Sequence, residues 1–276
     1  MSDIAEYLCP ICKSPLQQLE QSWKCTNNHS FDIAKQGYVN LLPVQYKKSR
    51  EPGDNKAMIQ ARRDFLALGH YDFLIEACTT LLKRHTVPGC KLLDVGCGEG
   101  YFTDKIFSLL DFEVAYGMDI SKEAIKVAAK RNRNVQWMVG SNRDIPLALH
   151  SLDAVLKINV PTEVEVLSKY IKPDGIIMSV TPGKNHLDGL KNAIYPEPRL
   201  QKPEPMADNH VLIDQQQLEQ SLVFSDKNAI NNLLLMTPFA WNIPRDIQQK
   251  VADLQYLETH LAFQINVWQQ KPETLP

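Results

Sequence analysis

The sequence predicts an α/β protein in which a doubly wound sheet follows a small metal-stapled module. Three observations carry that expectation. Short apolar strands alternate with helices between about residues 72 and 180. One of those strands, Leu92 to Val95, runs into a glycine-rich turn at Gly96, Gly98 and Gly100 and then into a helix from Tyr101. The first 40 residues carry Cys9, Cys12, Cys25 and His29 in the pattern C-x2-C-x12-C-x3-H.

The totals set the frame. At 276 residues the chain holds one α/β domain of ordinary size plus an appendage. Its net charge of −2 means that any nucleic-acid surface is a local patch. No charged-then-apolar leader is visible at Met1 to Leu8, and no apolar run is long enough to span a membrane. A soluble, cytoplasmic protein with no membrane partner is expected. Six cysteines in such a chain point to metal or burial rather than disulfides.

Taken in order, residues 1–40 form the metal module. Zinc takes four soft or borderline ligands in a tetrahedron, and Cys9, Cys12, Cys25 and His29 supply them. Trp23 and Phe31 offer a small apolar backing. So short a segment cannot bury enough surface to fold alone, and a structural metal supplies the missing free energy. Reduced thiols without metal, or a redox C-x-x-C, are the alternatives; the redox reading lacks a βαβ setting around Cys12.

Residues 41–70 form a basic linker and a helix. Asp54 is the expected N-cap of a helix from about Asn55 to Leu68, and Gly69 its C′ residue. Between residues 32 and 70, Lys35, Lys47, Lys48, Arg50, Lys56, Arg62 and Arg63 gather, interleaved with Tyr38 and Tyr46. That mixture can grip phosphates and stack on bases, or be a solvated surface.

Residues 71–276 form the main domain. A helix over 72–90 buries Phe73, Leu74, Ala77, Leu81 and Leu82, with Cys78 in the core and Cys90 before the central strand. Asp94 ends that strand, giving D-x-G-x-G-x-G rather than the dinucleotide pattern G-x-G-x-x-G. Cys97 is a small filler in the turn. Val114 to Asp119 is the next strand, and Asp119 can accept both hydroxyls of a ribose. The pair of features resembles the class I S-adenosylmethionine-dependent methyltransferases; a structural glycine turn is the plain alternative. Ser121 caps a helix through Arg131, Val135 to Val139 is a third strand, and Asn142 lies where such folds contact adenine. Leu152 to Ile158 is a fourth strand, ending at Asn159. A helix from Glu163 to Ile171 is expected to stop at Lys172-Pro173-Asp174-Gly175, before a fifth strand, Ile176 to Val180. Pro196 to Pro205 reads as an extended loop, His210 to Phe224 has no clean period, Asp226 caps a helix through Leu235, and His260 to Trp268 is a late strand in a short closing hairpin.

Several unrelated segments together carry a closer resemblance. The cysteine–histidine signature, G-Y-V-N-L-L-P at Gly37 to Pro43, S-R-x-P-G-D at Ser49 to Asp54 and A-R-R-x-F-L-x-x-G-H-Y at Ala61 to Tyr71 occur in order. D-V-G-C-G-E-G-Y, T-P-G-x-x-H-L at Thr181 to Leu187 and M-T-P-F-A-W at Met236 to Trp241 follow. The chain resembles the bacterial 23S rRNA (guanine-N1)-methyltransferases over nearly its whole length. That resemblance implies a Rossmann-like class I methyltransferase domain with an N-terminal zinc-binding module. It also implies S-adenosylmethionine as methyl donor, a guanine in a 23S rRNA hairpin loop as target, and a homodimer. It further implies cofactor contacts from Tyr71, over the methionine end, and from His186. Gly96, Gly98, Glu99, Gly100, Asp119 and Asn142 complete the expected cofactor set, with Glu99 toward the ammonium group. Asn159 is the candidate catalytic contact, although the sequence Asn-Val-Pro lacks the aromatic residue of the fuller amino-methyltransferase motif. A small-molecule methyltransferase and a non-catalytic RNA-binding zinc protein are the competing functions.

Overall fold

The computed structural model describes residues 6–43, 53–198 and 203–271. Much of the expected basic linker (Tyr46, Lys47, Lys48, Arg50) lies outside them. In chain order the elements are β1 (Leu16–Leu19), β2 (Ser22–Cys25), β3 (Ser30–Asp32), β4 (Val39–Asn40), α1 (Lys56–Leu66), α2 (Asp72–His85), β5 (Cys90–Val95), α3 (Tyr101–Leu109), β6 (Phe112–Asp119), α4 (Lys122–Arg131) and β7 (Gln136–Val139). There follow β8 (Leu152–Ile158), α5 (Val164–Ser168), β9 (Ile171–Pro182), α6 (Asp188–Ile194), β10 (His210–Phe224), α7 (Lys227–Leu235), a 3-10 turn at Pro238–Trp241, α8 (Arg245–Ala252) and β11 (Leu257–Gln270).

β1, β2 and β3 make a small antiparallel sheet. The large sheet has eight strands in the order β10-β11-β9-β8-β5-β6-β7-β4. β4 through β9 pair in parallel, and β11 and β10 close one edge antiparallel. The order reverses at β5, where β6 lies on one side and β8 on the other, so the crevice beyond the C-terminal ends of these strands is where a ligand fits. Buried Leu92, Leu93 and Val95 of β5 show why the central strand is a continuous apolar run: helices cover the Leu92 face, and the N-terminal module with the short α5 covers the face of Leu93 and Val95.

The two sheets are not separate. Val39 and Asn40 leave the small module and pair with Met138 and Val139 at the edge of the large sheet. Tyr7, Cys9, Leu16, Trp23 and Cys25 share one core with Tyr116, Met118, Ile145 and Leu147. Trp23 and Phe31 do stand opposite each other, on β2 and β3.

Some expectations need correction. The cap of α1 is Asn55, whose side chain accepts from the amides of Ala57 and Met58, because Asp54 is drawn away to pair with Arg62. Leu68 and Gly69 follow the Ala67 C-cap, so Gly69 sits one place later than C′. The helix expected from Glu163 to Ile171 is only Val164–Ser168, and β9 starts at Ile171. Gly175 is no helix stop. It passes so close to β8 that a Cβ there would meet the Asp153 carbonyl at 2.8 Å. Residues 210–224, which show no clean period, form a 15-residue strand. It is the sheet's edge, and its middle is exposed on both faces, so no apolar alternation is imposed on it. The closing hairpin is correspondingly long.

Candidate functional site

A single cavity of about 1100 Å³ lies over the C-terminal ends of β5, β6, β7 and β8. Ordinary ligand pockets hold about 300–1000 Å³, so there is room for a cofactor and a second reactant together.

The glycine turn forms one end. Gly96 and Gly98 line it with φ of +71° and +58°, values that a Cβ disfavours. A Cβ on Gly96 would also stand 2.4 Å from Cγ2 of Val160. Gly100 has a different task. It caps α3, it does not line the cavity, and a Cβ there would strike Trp137 and Ala128. Asp119 lines the cavity, and each of its carboxylate oxygens is fixed by a backbone amide: Gly98 N–H donates at 3.0 Å and Ser121 N–H at 2.7 Å. Each oxygen keeps lone pairs for a vicinal diol. Burial raises the Asp119 pKa, and the two amides oppose that.

Asp94 is buried behind the turn and accepts from Thr103 Oγ1 at 2.6 Å. Burial pushes its carboxyl up to about 7. Glu99 is also buried. One oxygen pairs with Arg131, and the other has no hydrogen-bond partner among the described residues. Burial raises its pKa, partly offset by Arg131. An orphaned carboxylate oxygen at the cavity wall suits an incoming ammonium group. Tyr71 is buried in the wall against Phe102 and Phe263, and burial holds its hydroxyl protonated far above neutrality. Asn142 lines the same cavity and donates to Thr162 Oγ1 at 2.6 Å.

His186 is elsewhere. It is buried outside the cavity lining, with its ring 4.6 Å from that of Phe263, and its Nδ1 accepts from the Ala262 amide at 3.3 Å. Burial first, and the charge of Lys191 second, lower its pKa to about 4. The enclosed, neutral imidazole packs here against Phe263.

The other end of the cavity comes from distant parts of the chain. Asn159 is brought there by β8, with φ of +56°, and is followed by Val160, Pro161 and Thr162. Met236, Thr237, Pro238 and Phe239 face in from the turn after α7. Arg62 of α1 lines the cavity too. It pairs with Asp54 and donates to the Met236 carbonyl at 3.1 Å. The sequence places Arg62 in a cationic cluster that fits either an RNA grip or a solvated surface, and it gives the Met236–Phe239 turn no site role. The clue available was Thr237-Pro238, a chain-turning pair at the end of a well-capped helix.

The metal module is assembled as expected. Ligand atoms of Cys9, Cys12, Cys25 and His29 all lie within 4.8 Å of one another. The Cys12–Cys25 sulfurs are 3.6 Å apart, and Cys25 Sγ is 3.4 Å from His29 Nδ1. Zinc–sulfur bonds of ~2.3 Å in a tetrahedron require edges of about 3.7 Å, so the donor set fits zinc. Hydrogen bonds from Asn27 and Ser14 hold the Cys12 thiol down to about 5, which favours the thiolate that binds metal. Cys78, Cys90 and Cys97 are buried and remote from this cluster in the sequence.

Comparison with known proteins agrees with this geometry. The N-terminal zinc-ribbon family described as "RlmA, N-terminal" matches residues 7–50, and a methyltransferase-domain family matches residues 86–232. A 23S rRNA (guanine(748)-N(1))-methyltransferase of Streptomyces fradiae is 30% identical over 267 residues, covering 91% of this chain and 92% of that protein. YxjB of Bacillus subtilis (strain 168), whose name proposes guanine-N1 methylation of 23S rRNA, is 28% identical over 265 residues, covering 88% and 90%.

Proposed function

The chain belongs to the 23S rRNA (guanine-N1)-methyltransferase family, and we propose that its target is a guanine in a hairpin loop of 23S rRNA, methylated at N1. It is an S-adenosylmethionine-dependent methyltransferase with an N-terminal zinc ribbon. One observation supports the reading above others: a single cavity joins an acidic glycine cradle to a second, separately built end.

When bound, S-adenosylmethionine supplies a methyl group already activated on a sulfonium. In this reading Gly96 and Gly98 let the donor lie against the backbone, Asp119 accepts its ribose hydroxyls, and Glu99 receives its ammonium group. Asn142 borders its base, and Tyr71 encloses the methionine end, where an aromatic face favours positive charge. His186 and Gly100 support these residues without touching the ligand. Asn159 holds the edge of the guanine through its side-chain carbonyl, and the N1 proton leaves to solvent as N1 takes the methyl group. Phe239 gives the unstacked base an apolar wall. Catalysis then consists chiefly of alignment. A loop guanine is unstacked at low cost, which suits so deep a site.

The same reading divides the chain into a zinc module at 1–40, a linker and helix at 41–70 and the methyltransferase domain at 71–276. It takes the enzyme as a cytoplasmic homodimer. No described helix is long and apolar enough to cross a membrane. Mass-spectrometric mapping of 23S rRNA from cells with and without the gene tests the assignment. One hairpin-loop N1-methylguanine disappears on deletion and returns when purified enzyme and donor are added. An unchanged modification map overturns it.

A further inference from the structure

Beneath the second end of the cavity lies a buried ion pair. Lys157 Nζ and Glu204 Oε1 are 2.5 Å apart, and their side chains are 5% and 6% exposed. Lys157 belongs to β8, two residues before Asn159; Glu204 belongs to the proline-rich connector before β10. Glu204 Oε2 accepts from Ser179 Oγ on β9 and, at 3.0 Å, from Asn266 Nδ2 on β11. Trp268 Nε1 donates to the same Ser179 oxygen at 3.0 Å. The carboxylate is therefore locked into the sheet, and it locks the ammonium group in turn.

Lys157 has one more bond. Its Nζ donates to the backbone carbonyl of Thr162 at 2.8 Å. Thr162 closes the short loop that starts at Asn159, and its hydroxyl is held from the other side by Asn142. Within this loop Asn159 is left-handed and Val160 presses on Gly96. A well-packed apolar pair could fill the same space at no loss of stability. What such a pair could not do is hold the Thr162 carbonyl.

We infer that Lys157, clamped by Glu204, is a positioning residue for methyl transfer: it fixes the Asn159–Thr162 loop where the target base is held. The inference rests on the reading that this loop faces the guanine. Lys157 does not reach the reacting atoms; it acts through Thr162.

The test is the full-length double variant Lys157→Met/Glu204→Gln. It leaves no unpaired buried charge, and the amide introduced at position 204 still offers an oxygen to Ser179 and Asn266. Amide exchange at Val160 and Thr162 is expected to rise about tenfold or more, with β8 and β9 unchanged. The dissociation constant for S-adenosylmethionine, by calorimetry, stays within about threefold, whereas kcat at saturating donor and RNA falls by about tenfold or more with little change in KM. Unchanged exchange across the loop overturns the inference, as does kcat within about twofold of the parent. Faster exchange throughout β8 and β9 also overturns it, because the pair would then be a general brace. A parent enzyme that methylates no 23S rRNA refutes the functional reading instead, and the exchange measurement still decides the positioning claim.

Discussion

The two ends of the cavity are built in opposite ways. In the proposed reading the donor end is centred on one contiguous motif, Asp94 to Glu99, with Asp119 held by the Gly98 amide of that turn and by the Ser121 amide, and with Tyr71 and Asn142 added at its sides. The target end is assembled from three segments far apart in the chain: Arg62 on α1, Asn159–Thr162 after β8 and Met236–Phe239 after α7. A site made of backbone needs a short sequence with fixed glycine spacing. A site made of converging side chains needs only that the fold bring them together. The difference explains why one end is a motif and the other is not.

The sharpest way to break the contrast is Gly96→Ala, because Gly96 is where the two ends touch. The new Cβ would stand 2.4 Å from Val160 in a left-handed backbone, so both donor cradle and target loop must move. Donor affinity is expected to fall about 100-fold or more by calorimetry, with activity lost in parallel. Gly98→Ala is the control. Its nearest neighbour would be Arg62 Nη1 at 3.5 Å, so only backbone strain remains and the loss is about tenfold. Equal losses would mean that the Val160 contact is unimportant.

A substitution at the target end should separate the two functions. Phe239→Ala removes an apolar wall without touching the glycine turn. It is expected to lower kcat/KM for RNA about tenfold while the donor dissociation constant stays within about twofold. Weakened donor binding would show that Phe239 belongs to the other end.

Legibility in the sequence followed the same division. The strand–glycine–helix unit and the caps Ser121 and Asp226 were readable because each is local: Ser121 Oγ accepts from Ala124 N–H, and Asp226 accepts from Asn228 N–H. The four metal ligands were readable because two short turns present them. β10 was not, since an edge strand exposed on both faces carries no period. The place of Arg62 in the cavity wall is not legible, because a cation's pairing partner, here Asp54, is settled by folding. His186 followed a motif match into the cofactor set, and the structure encloses it beside Phe263.

The zinc ribbon sharpens the comparison from outside. It lies against the donor end: Lys13 Nζ is 2.5 Å from Asp144, and Leu8 N–H donates to the Pro146 carbonyl at 2.9 Å. These contacts brace the loop that presents Ser141 and Asn142 to the cavity. Removing zinc with a chelator should therefore weaken donor binding, by about tenfold or less, as well as any grip on RNA. Calorimetry before and after, with a metal assay giving about one zinc per chain, checks this. Donor affinity that ignores the metal would confine the ribbon to RNA.

The smallest effect on donor binding is expected at His186, whose own signature runs through pH. Its pKa is held near 4 by burial, with Lys191 adding to the shift, against about 6.5 when unfolded. Between those values the unfolded chain binds a proton that the native chain refuses, so stability falls as pH drops from about 6.5 to about 4 and is level below. The full span corresponds to at most about 3 kcal/mol. His70 and His210, also lowered by burial, tilt the curve the same way. His260, raised by its hydrogen bond to Asp188, contributes stability lost only as pH rises above about 6.5. His186→Gln keeps an acceptor for the Ala262 amide and removes one titrating group, so its denaturation midpoints should flatten on the acid side alone. Its donor affinity at neutral pH should stay within about twofold of the parent, since the side chain faces Phe263 and not the cavity. A tenfold loss of donor affinity with an unchanged acid slope would put His186 back at the donor end, and the division drawn between motif and packing would fail at that residue.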